Sequence, residues 1–221
     1  GYDPRSMPDM FNRLMSQYRY NSKPPEFLMS HPVTESRIAD TRNRAEQYPG
    51  SGIEDSLRYQ LMRMRVQLVY EESPGIAAKR FRSILDENPK LDVARYGLAL
   101  AQLKSGQLEQ ARESLQPLLQ KAPNEVIYNL ALIELDTTAN RLKEAQERVQ
   151  RLLKLYPNDY PLNQSLGDLL LKQNRSSEAE KVLDQLLKSR PNDPDVWYQI
   201  AETRGQANNI IGLHHARPAY F

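Results

Sequence analysis

A chain of 221 residues with 39% hydrophobic content is long enough to bury one sizeable core or two small ones, which excludes wholesale disorder. Lys and Arg (30) nearly balance Asp and Glu (28) without a basic block, so the clustered cationic face that nucleic acid requires is not encoded. The absence of Cys removes disulfides, thiolate nucleophiles and zinc–thiolate fingers, and no apolar run approaches the roughly 20 residues of a transmembrane helix. A Cys-free chain suits a periplasmic and a cytosolic home equally. The first residues carry no signal-peptide pattern, so any export signal is expected to have been removed upstream.

Residues 1–57 follow no repeat. A helix is predicted from Pro8 to about Tyr20, with Met10, Phe11, Leu14, Met15 and Tyr18 on one face. The turn-rich stretch Asn21 to Val33, with Pro24, Pro25 and Pro32, reads as a loop. Thr34 is placed to cap a second helix running to about Gln47, and Tyr48 to Gly52 reads as a linker.

From Arg58 onward a constant stride takes over. Pro89, Pro123, Pro157 and Pro191 are equally spaced along the chain, and Ala77, Ala111, Ala145 and Ala179 keep the same interval. Phe81, Leu115, Val149 and Leu183 repeat in phase with them, followed by Ile84, Leu118, Leu152 and Leu186. The Ala column lets one helix approach its antiparallel neighbour, and the columns four and seven residues later put bulk on the same face. Pro ends that helix because it has no N–H to donate and disfavours helix in the residue before it. Asn124, Asn158 and Asn192 follow the Pro and favour the turn into the next unit.

The first helix of each unit has its own pattern: Leu61 and Met64; Leu98 and Ala99; Leu132; Leu166 and Gly167; then Trp197, Ile200 and Ala201. Period and columns together resemble the tetratricopeptide-repeat (TPR) family, whose unit is about 34 residues long. The fold class predicted is all-α, a TPR helical-hairpin solenoid preceded by a short two-helix segment, divided as residues 1–57 and 58–221. Four complete repeats begin near Arg58, Asp92, Val126 and Tyr160, with a fifth cut off at Phe221. In the fifth, Leu213 stands where Ala is expected and Pro218 falls inside the second helix. A solenoid end needs a polar cap, so the parent is expected to continue beyond Phe221 or to have that end covered by another chain.

The segment Gly1-Tyr-Asp-Pro-Arg5, Met7-Pro8, Pro24-Pro-Glu-Phe-Leu-Met-Ser-His-Pro32 and Thr34-Glu-Ser-Arg-Ile-Ala-Asp40 resembles the end of an M48-type zinc metallopeptidase domain. In the BepA-like periplasmic proteins of Gram-negative bacteria such a domain is followed by TPRs, in the order found here. The resemblance implies a periplasmic parent with zinc in its peptidase domain. It implies a role in outer-membrane protein assembly and quality control, with outer-membrane protein clients, the barrel-assembly machinery and the parent's own peptidase domain as partners, and a peripheral position at the outer membrane. That family's chemistry rests on His-Glu-x-x-His with a further Glu, holding zinc and supplying the general base. No such motif occurs in this sequence, so no catalytic residue is assigned, no cofactor is expected in this chain and it is expected to be inert alone.

His31 is the one residue with a candidate metal role. The resemblance implies that its loop lies near the active site, where a neutral imidazole would reach zinc and occupy the position of the catalytic water. The plain alternative is a loop His that bonds to backbone and fixes the Pro32 turn. His214 and His215 are adjacent, so their side chains lie about 100° apart on a helix, whereas helical metal pairs use i and i+4 spacing. Carboxylates such as Glu109, Glu113, Glu144 and Glu178 read as solvated helix faces.

The TPR register assigns an inner, concave face. In the early repeats it holds Tyr59, Met62, Val66, Val69, Tyr70, Val93, Tyr96, Leu100, Leu103 and Leu130; later it turns polar and acidic with Glu134, Gln164, Asp168, Asp195, Tyr198 and Glu202. This is expected to be a partner-binding face, or one on which other parts of the parent dock. The Lys and Asn clamp with which some TPR co-chaperones grip acidic C-termini is replaced by Met62 and Val66, then Tyr96 and Leu100. Two functions follow from different classes. One is the interaction portion of a periplasmic metallopeptidase and chaperone; the other is a stand-alone TPR adaptor with no peptidase link.

Overall fold

The computed structural model describes residues 3–17, 35–48, 52–53 and 55–216, and what is described is helical throughout apart from turns. Two compact units emerge, Gly1–Ser56 and Leu57–Phe221. In the first, α1 (Ser6–Gln17) packs on α2 (Glu35–Glu46). The chain enters α1 ahead of Pro8, where the Asp3 carboxylate accepts from the backbone and guanidinium of Arg5 and its carbonyl accepts from the N–H of Ser6. Ile38 and Ala45 are the buried stripe of α2, and the Arg37 guanidinium stands 5.4 Å from the Phe11 ring centroid. Met10 and Leu14 stay exposed. The predicted helix positions 18–20, the Pro-rich loop, the Thr34 cap and linker residues 49–51 lie outside the described residues.

The second unit is a run of helices in alternation: α3 (Leu57–Val69), α4 (Pro74–Glu87), α5 (Asp92–Lys104), α6 (Leu108–Lys121), α7 (Val126–Thr138), α8 (Leu142–Leu155), α9 (Tyr160–Lys172), α10 (Ser176–Ser189), α11 (Pro194–Gln206) and α12 (Ile210–Ala216). Ala77, Ala111, Ala145 and Ala179 are all fully buried, with Phe81, Leu115, Val149 and Leu183 beside them. In the pairs α5–α6, α7–α8 and α9–α10 the extent of contact follows the residue at the eighth place of the repeat. Ala99 and Gly167 allow α5 and α9 their extensive contact with α6 and α10; Ile133 leaves α7 and α8 a smaller one. At Gly167 a Cβ would already stand 3.0 Å from Leu183. In the first repeat this place is held by Arg65, and α3 lies chiefly against α5.

The turns inside the hairpins repeat too. Gly106, Asn140, Asn174 and Asn208 hold the same place in successive repeats and take φ of 74°, 57°, 58° and 55°. Each left-handed residue lets the next N–H return to a carbonyl near the helix end: Gln107 to Gln102, Arg141 to Asp136, Arg175 to Leu170 and Asn209 to Arg204, the Schellman closure that satisfies a helix terminus. The turn residues marked from the sequence, Asn124, Asn158 and Asn192, are not those of positive φ. Between repeats, Arg95, Asn129, Asn163 and Trp197 donate to the carbonyls of Pro89, Pro123, Pro157 and Pro191 at 2.8–3.0 Å. From the second repeat on, one polar atom at the fourth place of the first helix thus fastens the preceding helix end.

In the last repeat, Leu213 packs against the buried cluster that includes Leu183 and Ile200. Gly205 of α11 lies near Leu213 without being what admits its bulk, since a Cβ on that glycine would make only an ordinary contact at 4.0 Å from the Leu213 side chain. Pro218 lies outside the described residues.

A buried charge ties the middle hairpins together. Asp136 of α7 is 1% exposed, pairs with Arg112 of α6 and stands 4.0 Å from the Nε of Arg148 on α8. Burial lowers the Arg148 pKa, Asp136 opposes that, and the neighbouring charges of Arg151 and Arg112 lower it further. Removing the carboxylate would leave Arg112 without its partner and take away the charge that offsets the burial of Arg148. Asp136→Ala is expected to destabilise the chain by about 3 kcal/mol in denaturant unfolding. Arg141→Ala, which removes an exposed pair with Glu109, should cost under about 1 kcal/mol.

Candidate protein-binding groove

The first helices of successive repeats line one side of the second unit, and between α3, α7 and α9 they leave a groove of about 700 Å³. Its apolar wall comes from Met62, Val126, Leu130 and Ile133, its polar wall from Thr137, Gln164, Ser165 and Asp168, and Arg58 and Lys172 also border it. The N-cap residues of the helices contribute as well. Glu125 accepts from the N–H of Ile127 and Asp159 from that of Leu162, satisfying backbone donors that a helix start leaves open.

Arg65 joins the two sides. Its guanidinium donates to the Tyr96 hydroxyl at 3.0 Å and pairs with Glu134, so α3 is linked across α5 to α7. Burial by itself would lower the Arg65 pKa; the Tyr96 and Glu134 interactions outweigh it and leave the guanidinium raised. Burial also raises the Tyr96 hydroxyl, against the pull of Arg65. Lys104 of α5 completes the seam by donating to the Leu68 carbonyl near the end of α3. That helix has no left-handed residue to close it, since Glu72 stands at the place of Gly106 and Asn140.

The residues assigned to the inner face separate into three groups. Met62, Leu130, Glu134, Gln164 and Asp168 line the groove. Tyr96, fully buried, and Leu100 and Leu103 form core packed with Leu61 and Leu68 of α3, with Val93 half-buried against the same core. The register places them correctly on α5, but α3 lies on that helix and takes its surface out of contact with solvent. Tyr59, Val66 and Val69 of α3, and Tyr70 just past its end, are exposed outside the groove lining, and Asp195, Tyr198 and Glu202 are exposed on α11.

Arg58, Arg65 and Lys172 border the groove without being marked by the register. For Arg65 a signal exists in the sequence: a long cation stands where the other repeats have the uncharged residues Ala99, Ile133, Gly167 and Ala201. Desolvation raises the pKa of the Asp168 carboxyl; a hydrogen bond from Gln199 lowers it, the Glu202 charge raises it and Lys172 lowers it.

Three further features bear on chemistry. His31 lies outside the described residues. The backbone of His214 and His215 belongs to α12, and their side chains lie outside what is described. Among the described residues no three His, Asp or Glu side chains converge where they could hold a metal ion, and no helix is long and apolar enough to cross a membrane.

The tetratricopeptide-repeat family model matches residues 68–133 and 137–202. A curated relative, the beta-barrel assembly-enhancing protease of Escherichia coli K12, is 35% identical over 145 residues, which is 63% of this chain and 29% of that protein. The putative beta-barrel assembly-enhancing protease of Vibrio cholerae is 36% identical over 139 residues, 61% of this chain and 28% of its own length. The chain thus spans under a third of these relatives. Among solved structures, a thermophilic TPR protein of Thermus thermophilus superposes with a TM-score of 0.61 at 22% identity, covering 75% of this chain and 90% of that one.

Because the Arg65–Glu134 pair is half-exposed, its contribution is expected to be modest and screened by salt. A double-mutant cycle with Arg65→Ala and Glu134→Gln should give a coupling of about 0.5–1 kcal/mol by denaturant unfolding at low salt. The coupling should shrink toward zero near about 1 M salt.

Proposed function

Since the chain belongs to the tetratricopeptide-repeat family, we propose that it works as the protein-binding portion of a periplasmic factor for outer-membrane protein assembly and quality control. The observation that carries this is the 35% identity with a beta-barrel assembly-enhancing protease across 63% of the chain, joined to a repeat unit that holds an open groove. Such a groove binds without chemistry: it offers an apolar wall, backbone-fastened helix starts and fixed charges to a segment that arrives unfolded or extended.

In this reading residues 1–57 close a peptidase domain and residues 58–221 present clients to it or dock on the β-barrel assembly machinery. The parent is a zinc metallopeptidase, and His31 approaches its metal as a gate. The remaining zinc ligands of that parent come from its peptidase domain. The exposed apolar residues of α3, Tyr59, Val66 and Val69, are a place for the parent's own peptidase domain to rest, which would leave the groove for clients.

Crosslinking in the intact parent tests this. With a photoreactive residue at Leu130 or Gln164, the products should contain barrel-assembly components or unfinished outer-membrane proteins, and a label at exposed Lys143 of α8 should give far less of either. Equal labelling from both sites, or products confined to cytosolic proteins, would contradict the proposal. An upstream coding region without His-Glu-x-x-His within about 150 residues, a typical domain length, would favour the stand-alone adaptor.

A further inference from the structure

Glu134, Asp168 and Glu202 hold one and the same place in successive repeats, one on each of α7, α9 and α11, and all three are exposed. Stacked repeats bring equivalent positions into register, so the carboxylates form a row that starts in the groove and runs beyond it. The same place in the first two repeats holds Val66 and Leu100. The row is unevenly satisfied. Glu134 carries the Arg65 guanidinium, Asp168 accepts from the side-chain amide of Gln199, and among the described residues no ion pair involves Glu202.

Gln199 supports the row from within the fold: it is only 7% exposed, and its Nε2 donates to Asp168, which fixes that carboxylate in place. Burial raises the Asp168 carboxyl, the Gln199 hydrogen bond lowers it, the Glu202 charge raises it and Lys172 lowers it. Asp168 and Glu202 thus feel each other's charge, a repulsion that a cation seated on the row would relieve.

We infer that the groove takes an extended polypeptide segment bearing Lys or Arg, its cations seating on Asp168 and Glu202 as Arg65 seats on Glu134, with apolar residues on the α7 side of Asp168 lying on Met62 and Leu130. The inference rests on the protein-binding reading and specifies the class of segment bound. The spacing is compatible. Packed helices lie about 8–10 Å apart, and a polyproline-II-like chain, at about 3.1 Å per residue and three residues per turn, presents every third side chain on one side about 9 Å on.

The test is fluorescence anisotropy on the full 221-residue chain, using a labelled peptide with Lys at every third place among Leu, Val and Ser, and a counterpart with Gln for Lys. The Lys peptide should bind at least about tenfold tighter, and raising salt from about 0.05 to about 0.5 M should remove most of that margin. Glu202→Gln and Asp168→Asn should each weaken it about three- to tenfold. Glu202 is exposed, so its variant should keep the melting curve of the unsubstituted chain. Equal binding of the two peptides, or no effect of Glu202→Gln, overturns the inference. If both peptides bind alike and Leu130→Glu abolishes both, the cation preference falls while the protein-binding reading stands; if neither binds, both fall.

Discussion

How near two antiparallel helices can come decides almost everything else in the repeat unit. A buried Ala in each second helix, at Ala77, Ala111, Ala145 and Ala179, removes the side chain that would hold the backbones apart. The extent of contact then goes with the eighth place of the first helix, larger at Ala99 and at Gly167, which stands against Leu183, and smaller at Ile133. Close packing shields helix ends from water, so each end must find internal partners. The left-handed turn residues do this inside hairpins, and the side chains bonded to the Pro carbonyls do it between them.

The first repeat breaks this rule, and the groove follows from the break. Arg65 cannot sit where Ala99 sits, so α3 rests on α5 and sends its guanidinium past Tyr96 to Glu134. Coverage by α3 turns Tyr96 and Leu100 from surface into core and brings Met62 opposite Leu130 as the apolar wall. The long cation thus goes with an inner face that α3 partly covers while the groove beside it stays open.

The helical-hairpin fold is legible in the sequence because its determinants are periodic: small residues, bulk and Pro recur at one stride. The left-handed column is equally periodic yet harder to see, since Gly106 shares it with three Asn residues and the Asn after each Pro is the louder turn signal. Only half of the site can be read this way. Register tells which residues point inward on an ideal repeat, and it places Leu130, Glu134, Gln164 and Asp168 on the groove. It cannot tell that α3 covers α5, because that depends on where one helix comes to rest after its small residue is lost. Leu213 shows the same limit, since bulk at the Ala place is accepted where the last, shorter helix packs on the cluster around Leu183 and Ile200.

Binding by such a surface requires that its walls keep their spacing while its partners vary, and the link from α3 to α7 is the physical means. Because the chain has no Cys, spin labels can be placed singly at Met62 and Gln164, on opposite sides of the groove, and their separation measured by pulsed electron resonance in the otherwise unsubstituted chain and in Glu134→Gln. A narrow distribution that broadens toward longer distances in the variant is the predicted result. Identical distributions in the two proteins would contradict the account, for the groove would then owe its shape to something other than the Arg65 bridge.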